Sequence, residues 1–328
     1  MSETVVVTGA TGLLGAIWPR RCGRRVGVRC TRRRSSGVEH LAHLDLEWVE
    51  ADVGDRGALT EAFRGAAAVF HCAAAVSIAR RVTPGLQATN VVGTENVIAA
   101  ARAAGVGRLV HCSSTVTVGL SVDGITPVDE GAVFNFEAFG LADGYVRTKR
   151  AAEERVLASG LDVVVVNPGF MFGPYDVRPS SGRMVVDVVK RRVPGVSGGW
   201  NNFASARRVA DGLVAAWRRG RGGERYILGG ENRSYAEMFR RIAEIAGVPA
   251  PTRVVPRWLA AIAGAVGDVQ ARVTGREPLI SGNAVAWGYS PRFISSSAKA
   301  IRELGYDPGS PDDGVRQALE WFRETGRL

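Results

Sequence analysis

Two side chains with acid–base potential, Tyr145 and Lys149, lie four residues apart in a segment whose composition predicts a helix. Residues at this spacing lie on one face of a helix, so the phenol and the ammonium group would be neighbours. A tyrosine is a poor base at neutral pH because its ordinary pKa is about 10. A neighbouring positive charge would stabilise the phenolate and lower that pKa. The pair could therefore exchange a proton with a substrate, although a chance Tyr-x-x-x-Lys on a solvated helix is the alternative.

A pair of hydroxyl groups, Ser113 and Ser114, follows the predicted strand 108–112. Ligands of open α/β sheets bind beyond the carboxyl ends of the strands. A hydroxyl at that place could hydrogen-bond the reacting oxygen of a substrate beside the tyrosine. The alternative is that the two serines only begin a loop.

Three glycines, Gly9, Gly12 and Gly15, follow a β-branched apolar run at residues 4–7. This pattern predicts a buried parallel strand that turns into the N-terminus of a helix. Glycine lets the backbone turn sharply and lets a pyrophosphate approach it. The helix N–H groups and the positive end of the helix dipole would then face the phosphates. The loop predicts a dinucleotide site. The glycine loop, the serine pair and the Tyr145–Lys149 pair, found in this order, are much less likely to occur together by chance than any one of them alone.

No acidic residue lies between Glu3 and Glu39, which is where the second strand of such a site is expected. An NAD site usually has Asp or Glu about 20 residues after the glycines, bound to the ribose 2′-hydroxyl. Arg33 and Arg34 lie in that region, and guanidinium groups would pair with a 2′-phosphate. The sequence favours NADP, with NAD as the alternative. The eight arginines of the gap are Arg20, Arg21, Arg24, Arg25, Arg29, Arg32, Arg33 and Arg34.

Strands and helices alternate along the first half of the chain, which predicts an α/β fold with a doubly wound parallel sheet. The predicted strands are 26–31, 46–51, 67–74, 108–112 and 161–166. Pro19 falls inside the expected first helix, where it should produce a kink. After residue 170 the alternation loosens. We therefore predict a dinucleotide-binding domain over 1–170 and a smaller, mainly substrate-binding part over 171–328 that returns a strand and helices to the first domain.

Composition sets limits on the function. The chain has 328 residues, of which 46% are hydrophobic and 23% charged, as in ordinary globular enzymes. The longest apolar run, 258–267, is shorter than the roughly 18 residues of a membrane span, so it indicates a buried helix. The chain starts directly with a strand and shows no export leader, which favours the cytoplasm. A net charge of +10 could indicate a nucleic-acid or membrane partner, but the arginines are dispersed and no nucleic-acid motif is present.

The four cysteines have no metal-ligand spacing, so no metal site is expected. Cys72 and Cys112 end two predicted strands and would be small buried thiols.

The motifs at 8–15, 113–114, 145–149 and 167–174 together resemble the extended short-chain dehydrogenase/reductases, the NAD-dependent epimerase/dehydratase family. The resemblance covers essentially the whole chain. It is strongest to the dihydroflavonol-4-reductase-like branch, which includes hopanoid-associated sugar epimerases. The segments that carry this narrower resemblance are 223–232, 274–278 and 295–306.

The resemblance implies roles for individual residues. Tyr145 would be the acid/base, Lys149 would hold the nicotinamide ribose, and Ser114 rather than Ser113 would orient the substrate oxygen. Phe170, Met171 and Phe172 could line the substrate pocket, although a core role is the alternative. The further residues expected to contact the cofactor are Gly9, Thr11, Gly12, Leu13, Leu14, Gly15, Asp52, Val53, Ala73, Ala74 and Pro168.

The resulting prediction is an NADP-preferring oxidoreductase that moves a hydride between the nicotinamide and a secondary alcohol or ketone. The first alternative is an NAD-dependent sugar epimerase or dehydratase, and the second is a catalytically impaired cofactor-binding protein. Two departures from the family pattern favour impairment: the Arg-rich segment 18–34, and Arg207–Arg208 where relatives carry a His-Val-Asp-Asp type run. The expected partners are a small carbonyl, alcohol or sugar substrate and a second copy of the chain, with no nucleic acid.

Overall fold

The computed structural model describes residues 3–21, 26–44, 46–77, 79–177, 179–193, 195–274 and 280–328. Cys22, Arg24, Arg25 and residues 275–278 of the segment 274–278 lie outside the described residues.

A parallel sheet of seven strands forms the centre of the described part of the chain, in the order β3-β2-β1-β4-β5-β6-β9. The order reverses between β1 and β4, as in doubly wound folds, so the predicted fold class is confirmed. Strands β1 and β6 are apolar on both faces because helices cover both sides of the sheet. The strands are β1 Glu3–Thr8, β2 Val26–Arg32, β3 Glu47–Glu50, β4 Ala68–His71, β5 Arg108–Cys112, β6 Val163–Pro168 and β9 Arg225–Leu228.

The helices begin where the sequence provides capping side chains. Asp55, Ser234 and Ser310 each accept a hydrogen bond from the first turn of the helix that follows. The helices are α1 Leu13–Ile17, α2 Arg56–Phe63, α3 Pro84–Leu86, α4 Gly93–Ala103, α5 Gly144–Leu157, α6 Arg183–Val189, α7 Ala206–Arg219, α8 Tyr235–Ala246, α9 Arg257–Thr274, α10 Gly282–Gly288, α11 Ala298–Leu304 and α12 Pro311–Glu324. A π-helical turn, Gln87–Val92, joins α3 to α4.

The first crossover, the connection between β1 and β2, contains only a short α-helix because of Pro19. Helix α1 ends at Ile17, and a 3₁₀ turn, Trp18–Arg21, follows it. Trp18 is fully buried, and its ring centroid lies 3.9 Å from that of Phe70 on the sheet. One large side chain therefore anchors a segment that has no regular apolar stripe.

The second half of the chain contributes β9 to the main sheet and builds a small sheet from β7 (Phe170–Phe172), β8 (Trp200–Ser205) and β10 (Glu231–Ser234). Strand β8 pairs in parallel with β7 and antiparallel with β10.

Helix α7 packs against the first crossover, despite the arginines at its start. Arg21 Nε donates to Asp211 Oδ1 at 2.5 Å, and this bond joins the crossover to α7. Arg208 forms an ion pair with Asp307 at 2.9 Å, while Arg207 is exposed. The reversed charge at Arg207–Arg208 has not removed the contact between this helix and the first crossover.

Two predictions about burial are wrong. The segment 258–267 is helical, but α9 exposes most of its apolar side chains instead of burying them. Cys72 and Cys112 are half-buried rather than buried, because both lie at the open carboxyl edge of the sheet. None of the helices among the described residues is long and apolar enough to cross a membrane.

Candidate active site

The glycine loop is shaped by two of its three glycines. Gly9 has a φ of 73°, and a Cβ there would lie 2.6 Å from the backbone of Ala73. A Cβ on Gly15 would clash with the carbonyl oxygen of Gly9. A Cβ on Gly12 would touch only Gly9 O, at 3.4 Å. Because the fold itself does not require glycine at position 12, this exposed position leaves room for a ligand against the backbone.

The start of α1 offers further room for a phosphate. Gly12 is its N-cap and has no side chain that could accept from the first N–H groups. Leu14 is buried in the core, whereas Thr11 and Leu13 are half-buried at the loop. These features fit the diphosphate of a nicotinamide dinucleotide.

Arg33 and Arg34 line a cavity of about 430 Å³ at the ends of β2 and β3, together with Asp52. Arg34 forms an ion pair with Glu50 at 2.9 Å. Arg33 is exposed and forms no ion pair with any described residue. Its charge is therefore available to a ligand.

Asp52 and Val53 lie in the turn between β3 and α2. Asp52 Oδ1 accepts from Gly54 N at 2.7 Å. Val53 packs against Gly93, and its carbonyl oxygen accepts from Asn96 Nδ2 at 2.9 Å. This turn is held in place by α4.

A buried amide, Asn90, ties the loop after β4 to the catalytic helix. Its Oδ1 accepts from Ala75 N at 2.7 Å, and its Nδ2 donates to Ala75 O at 3.0 Å and to Thr148 Oγ1 at 3.1 Å. Ala73 and Ala74 are the residues just before this anchor, and Ala73 lies against Gly9. The glycine loop, the β4 loop and α5 are thus connected through consecutive contacts.

Helix α5 is fixed at its N-terminus by Asp143, which accepts from Val146 N at 2.9 Å and from Asn283 Nδ2 at 2.7 Å. Tyr145 and Lys149 lie on the face of α5 that meets β5. Lys149 Nζ donates to Cys112 O at 2.9 Å, and the Ser114 hydroxyl lies near enough to the Tyr145 phenol to act on its pKa. The three predicted catalytic residues therefore lie together at the carboxyl edge of the sheet.

Ser113 points elsewhere. It is buried, and its Oγ lies 3.3 Å from Thr117 Oγ1. Of the two serines, only Ser114 is placed beside the tyrosine in this structure.

Burial dominates the protonation of these groups. It raises the pKa of the Tyr145 phenol above its ordinary value, and the nearby Ser114 hydroxyl offsets only part of that rise. Burial also lowers the pKa of the Lys149 ammonium, against the opposing effects of Cys112 and Glu153. The phenol of the protein alone is therefore protonated at neutral pH, and a pKa lowered by Lys149 together with an oxidised nicotinamide ring stays a prediction for the cofactor-bound protein.

A buried carboxylate, Glu153, lies one turn beyond Lys149 and was not predicted from the sequence. Its Oε2 accepts from Thr117 Oγ1 at 2.5 Å and from Asn167 Nδ2 at 2.9 Å. Arg225 lies 3.3 Å from its Oε1. Asn167 also donates to Ser114 O at 3.0 Å. The signal available in the sequence was the spacing of four residues that continues from Tyr145 through Lys149 to Glu153.

The apolar residues after β6 do not all face a pocket. Pro168 is buried at the end of β6. The side chain of Phe172 is completely buried and stacks on Phe203, with ring centroids 5.9 Å apart, so it belongs to the core. Phe170 and Met171 are half-buried. No group of side chains suited to a metal ion occurs in the described part of the chain.

The sequence matches the model of the NAD dependent epimerase/dehydratase family over residues 5–229. The chain belongs to this family. It is 33% identical to a dihydroflavonol 4-reductase-like protein of Synechocystis, across 99% of this chain and 96% of the relative. It is 35% identical to sterol demethylase protein B of Methylococcus capsulatus, across 99% of this chain and 100% of the relative.

The structure is also similar to that of a nucleoside-diphosphate-sugar epimerase from Pseudomonas aeruginosa, with a TM-score of 0.78, 28% identity and full coverage of both chains. The family explains the site: the protein is an NAD(P)-dependent oxidoreductase that transfers a hydride between a nicotinamide cofactor and a secondary alcohol or ketone.

Proposed function

We propose that the protein is an NADPH-preferring reductase of ketones in which Tyr145 donates the proton, Ser114 orients the carbonyl oxygen and Lys149 holds the cofactor ribose. The observation that carries this proposal is that the Ser114 hydroxyl lies near the Tyr145 phenol, with Lys149 on the same face of α5 and bonded to the end of β5. The part of the chain after residue 170 would bind the substrate.

The bound cofactor supplies a hydride to the carbonyl carbon. The chain has to place the carbonyl oxygen between two hydroxyl groups, at Tyr145 and Ser114, and to give it a proton as negative charge develops there. A phenol that burial keeps protonated suits this direction of reaction. The ammonium of Lys149, on the same face of α5, would stabilise the phenolate that remains.

The diphosphate would bind against the backbone of Gly9, Gly12 and Gly15, and Arg33 would pair with the 2′-phosphate of the adenosine. Asp52 and Val53 would flank the adenine, Ala73 and Ala74 would follow the cofactor, and Pro168 would lie beside the nicotinamide. A reductase must release its oxidised cofactor and bind a reduced one after each turnover, whereas an epimerase re-uses the cofactor that it holds. A site that selects NADPH therefore supports net reduction rather than epimerisation.

An epimerase that retains NAD is the second candidate, and the similarity to the Pseudomonas aeruginosa epimerase favours it. It would use the same three residues. The two functions differ in whether cofactor is consumed.

The test is to mix the purified protein with NADPH and a panel of ketones and with nucleotide sugars, and to follow both NADPH absorbance and product stereochemistry. We expect NADPH consumption with a ketone. Replacing Tyr145→Phe should lower kcat by about 10²-fold or more, because a general acid contributes about 10²–10⁴-fold, while the Kd for NADPH stays unchanged.

Tyr235→Phe is the matched control, since this tyrosine accepts from Asn201 Nδ2 outside the site. Formation of a nucleotide sugar with inverted configuration at one carbon, without consumption of NADPH, would show that the protein is an epimerase. Unchanged turnover in Tyr145→Phe would reject the proposed acid.

A further inference from the structure

Helix α9, Arg257–Thr274, exposes an apolar surface that runs along its whole length. Among the helix residues whose burial the structure describes, only Gly264 and Gly267 are buried, and Gly264 packs against Gly282 of α10. The large exposed side chains, with their exposed fractions, are Trp258 (66%), Leu259 (42%), Ile262 (55%), Val266 (62%), Val269 (56%) and Val273 (81%). A contiguous apolar surface of this kind on a globular protein marks an interaction site.

Positive charge lies at the start of this surface. Arg253 and Arg257 are exposed there and form no ion pair within the described residues. Asp268 is the only acid inside the helix, and its oxygens accept from Gly282 N at 3.2 and 3.3 Å.

This charge favours a negatively charged occupant over a second copy of the chain. A parallel copy would bring Arg253 and Arg257 next to the same residues of its partner, and two chains that each carry a net charge of +10 repel one another. A negatively charged lipid surface complements the exposed arginines.

We propose that α9 docks the protein on anionic phospholipid bilayers. The helix would lie in the plane of the membrane, with Trp258, Ile262 and Val266 at the boundary between headgroups and acyl chains. Each arginine near such a surface adds attraction to acidic headgroups, and tryptophan is enriched at this depth. Eighteen residues give a helix about 27 Å long, which lies along the membrane surface rather than crossing it.

The docked surface is connected to the catalytic helix. Asn283 of α10 donates to Asp143, the N-cap of α5, at 2.7 Å. Trp287 of α10 packs in the same apolar cluster as Tyr145. Docking would thus hold the active site next to the lipid, although the docking itself does not depend on the reaction at Tyr145.

The experiment is flotation of the full-length protein with vesicles of phosphatidylglycerol and phosphatidylcholine in equal parts, and with vesicles of phosphatidylcholine alone. We expect flotation with the anionic vesicles, weaker flotation at high salt, and at least tenfold weaker partitioning with phosphatidylcholine alone. The double substitution Ile262→Asp/Val266→Asp should lower partitioning at least tenfold, with an unchanged circular dichroism spectrum. Its NADPH binding should also be unchanged.

Val133→Asp is the matched control because Val133 is equally apolar, is 82% exposed and lies outside α9; it should float like the unsubstituted protein. Arg253→Glu/Arg257→Glu should weaken flotation at low salt only. Failure of the unsubstituted protein to float with anionic vesicles would overturn the proposal. Equal flotation of Ile262→Asp/Val266→Asp would do the same, as would sedimentation showing that this variant converts a dimer into monomers.

Discussion

Arg33 and Arg34 are neighbours in the sequence but have different electrostatic roles. The side chain of Arg34 is already paired with Glu50, whereas Arg33 faces the cavity at the ends of β2 and β3 without an ion-pair partner among the described residues. A 2′-phosphate can therefore be met by Arg33 without breaking an existing pair. We therefore propose that Arg33 is the side chain that selects NADPH over NADH.

Replacing Arg33→Ala should weaken NADPH binding about tenfold, because a charge-assisted hydrogen bond of about 1.5–3 kcal/mol is lost, and should leave NADH binding unchanged. Arg34→Ala is the control and should change the NADPH affinity less. Titration of protein fluorescence with both cofactors measures the two constants. Equal losses for NADH and NADPH in Arg33→Ala would contradict a role in reading the phosphate.

Glu153 is expected to position the site without touching the substrate. It raises the pKa of Lys149 against the effect of burial and also accepts from Thr117 and Asn167. Removing its charge should therefore lower the Lys149 pKa further.

In Glu153→Gln, the alkaline limb of the pH profile of kcat should move to lower pH, and kcat should fall about tenfold with little change in the KM for NADPH. Glu154→Gln is the matched control, because Glu154 pairs with Arg150 on the exposed side of the same helix. An unmoved alkaline limb in Glu153→Gln would leave only a structural role for this carboxylate.

At the scale of elements, the N-terminus of α5 decides where the tyrosine lies. Asp143 caps the helix two residues before Tyr145 and also accepts from Asn283, so one carboxylate links the helix start to α10. A Cβ on Gly144 would clash with the carbonyl oxygen of Arg81, which leaves no room for the first turn to shift. The position of the phenol therefore depends on this cap.

Asp143→Ala should lower the free energy of unfolding by about 1 kcal/mol, the usual cost of losing an N-cap, and should also lower kcat. Ser234→Ala removes the cap of α8, where Ser234 Oγ accepts from Glu237 N at 3.1 Å, and should cost a similar amount with unchanged kcat. Urea unfolding and steady-state kinetics measure the two effects. An unchanged kcat in Asp143→Ala would show that the packing alone places Tyr145.

At the scale of the whole molecule, a buried ionic cluster joins the last helix to the rest of the second half. Asp312 of α12 accepts from Arg233 of β10 at 2.6 Å and from Arg241 of α8 at 2.5 Å. Burial alone would raise the pKa of Asp312, but hydrogen bonds and charge from Arg241 and Arg233 outweigh it and hold the pKa below its ordinary value. This carboxylate stabilises the fold only while it is ionised.

Asp312→Asn should lower the free energy of unfolding at pH 7 by about 1–2 kcal/mol, less than for a fully buried pair because Arg241 is partly exposed to solvent. The folded-state pKa is depressed, so this contribution is present above the unfolded pKa of about 3.9 and is lost as the pH falls through the folded value. Unfolding in urea at pH 7 and near pH 3 should show the difference between the two proteins shrinking. Asp313→Asn, which removes an exposed pair with Arg316, should change stability by less than about 0.5 kcal/mol at either pH.

The sequence by itself determined the sheet, the crossover and the catalytic helix, because these depend on local patterns. Apolar strands, glycine spacing, the capping residues and Pro19 act within a few positions of themselves, and the predicted strands agree with the observed ones to within a few residues. Tyr145 and Lys149 share a face through helix geometry alone. The family follows from the same motifs in their order along the chain.

Tertiary structure decided the properties that depend on distant residues. The Tyr145 pKa is raised chiefly by burial, and burial cannot be read from a spacing. Glu153 gains its role from Thr117, Asn167 and Arg225, which come from three other segments. Most apolar side chains of α9 are exposed because the helix meets α10 mainly through Gly264 and Asp268, and hydrophobicity along a chain does not specify which surface covers it.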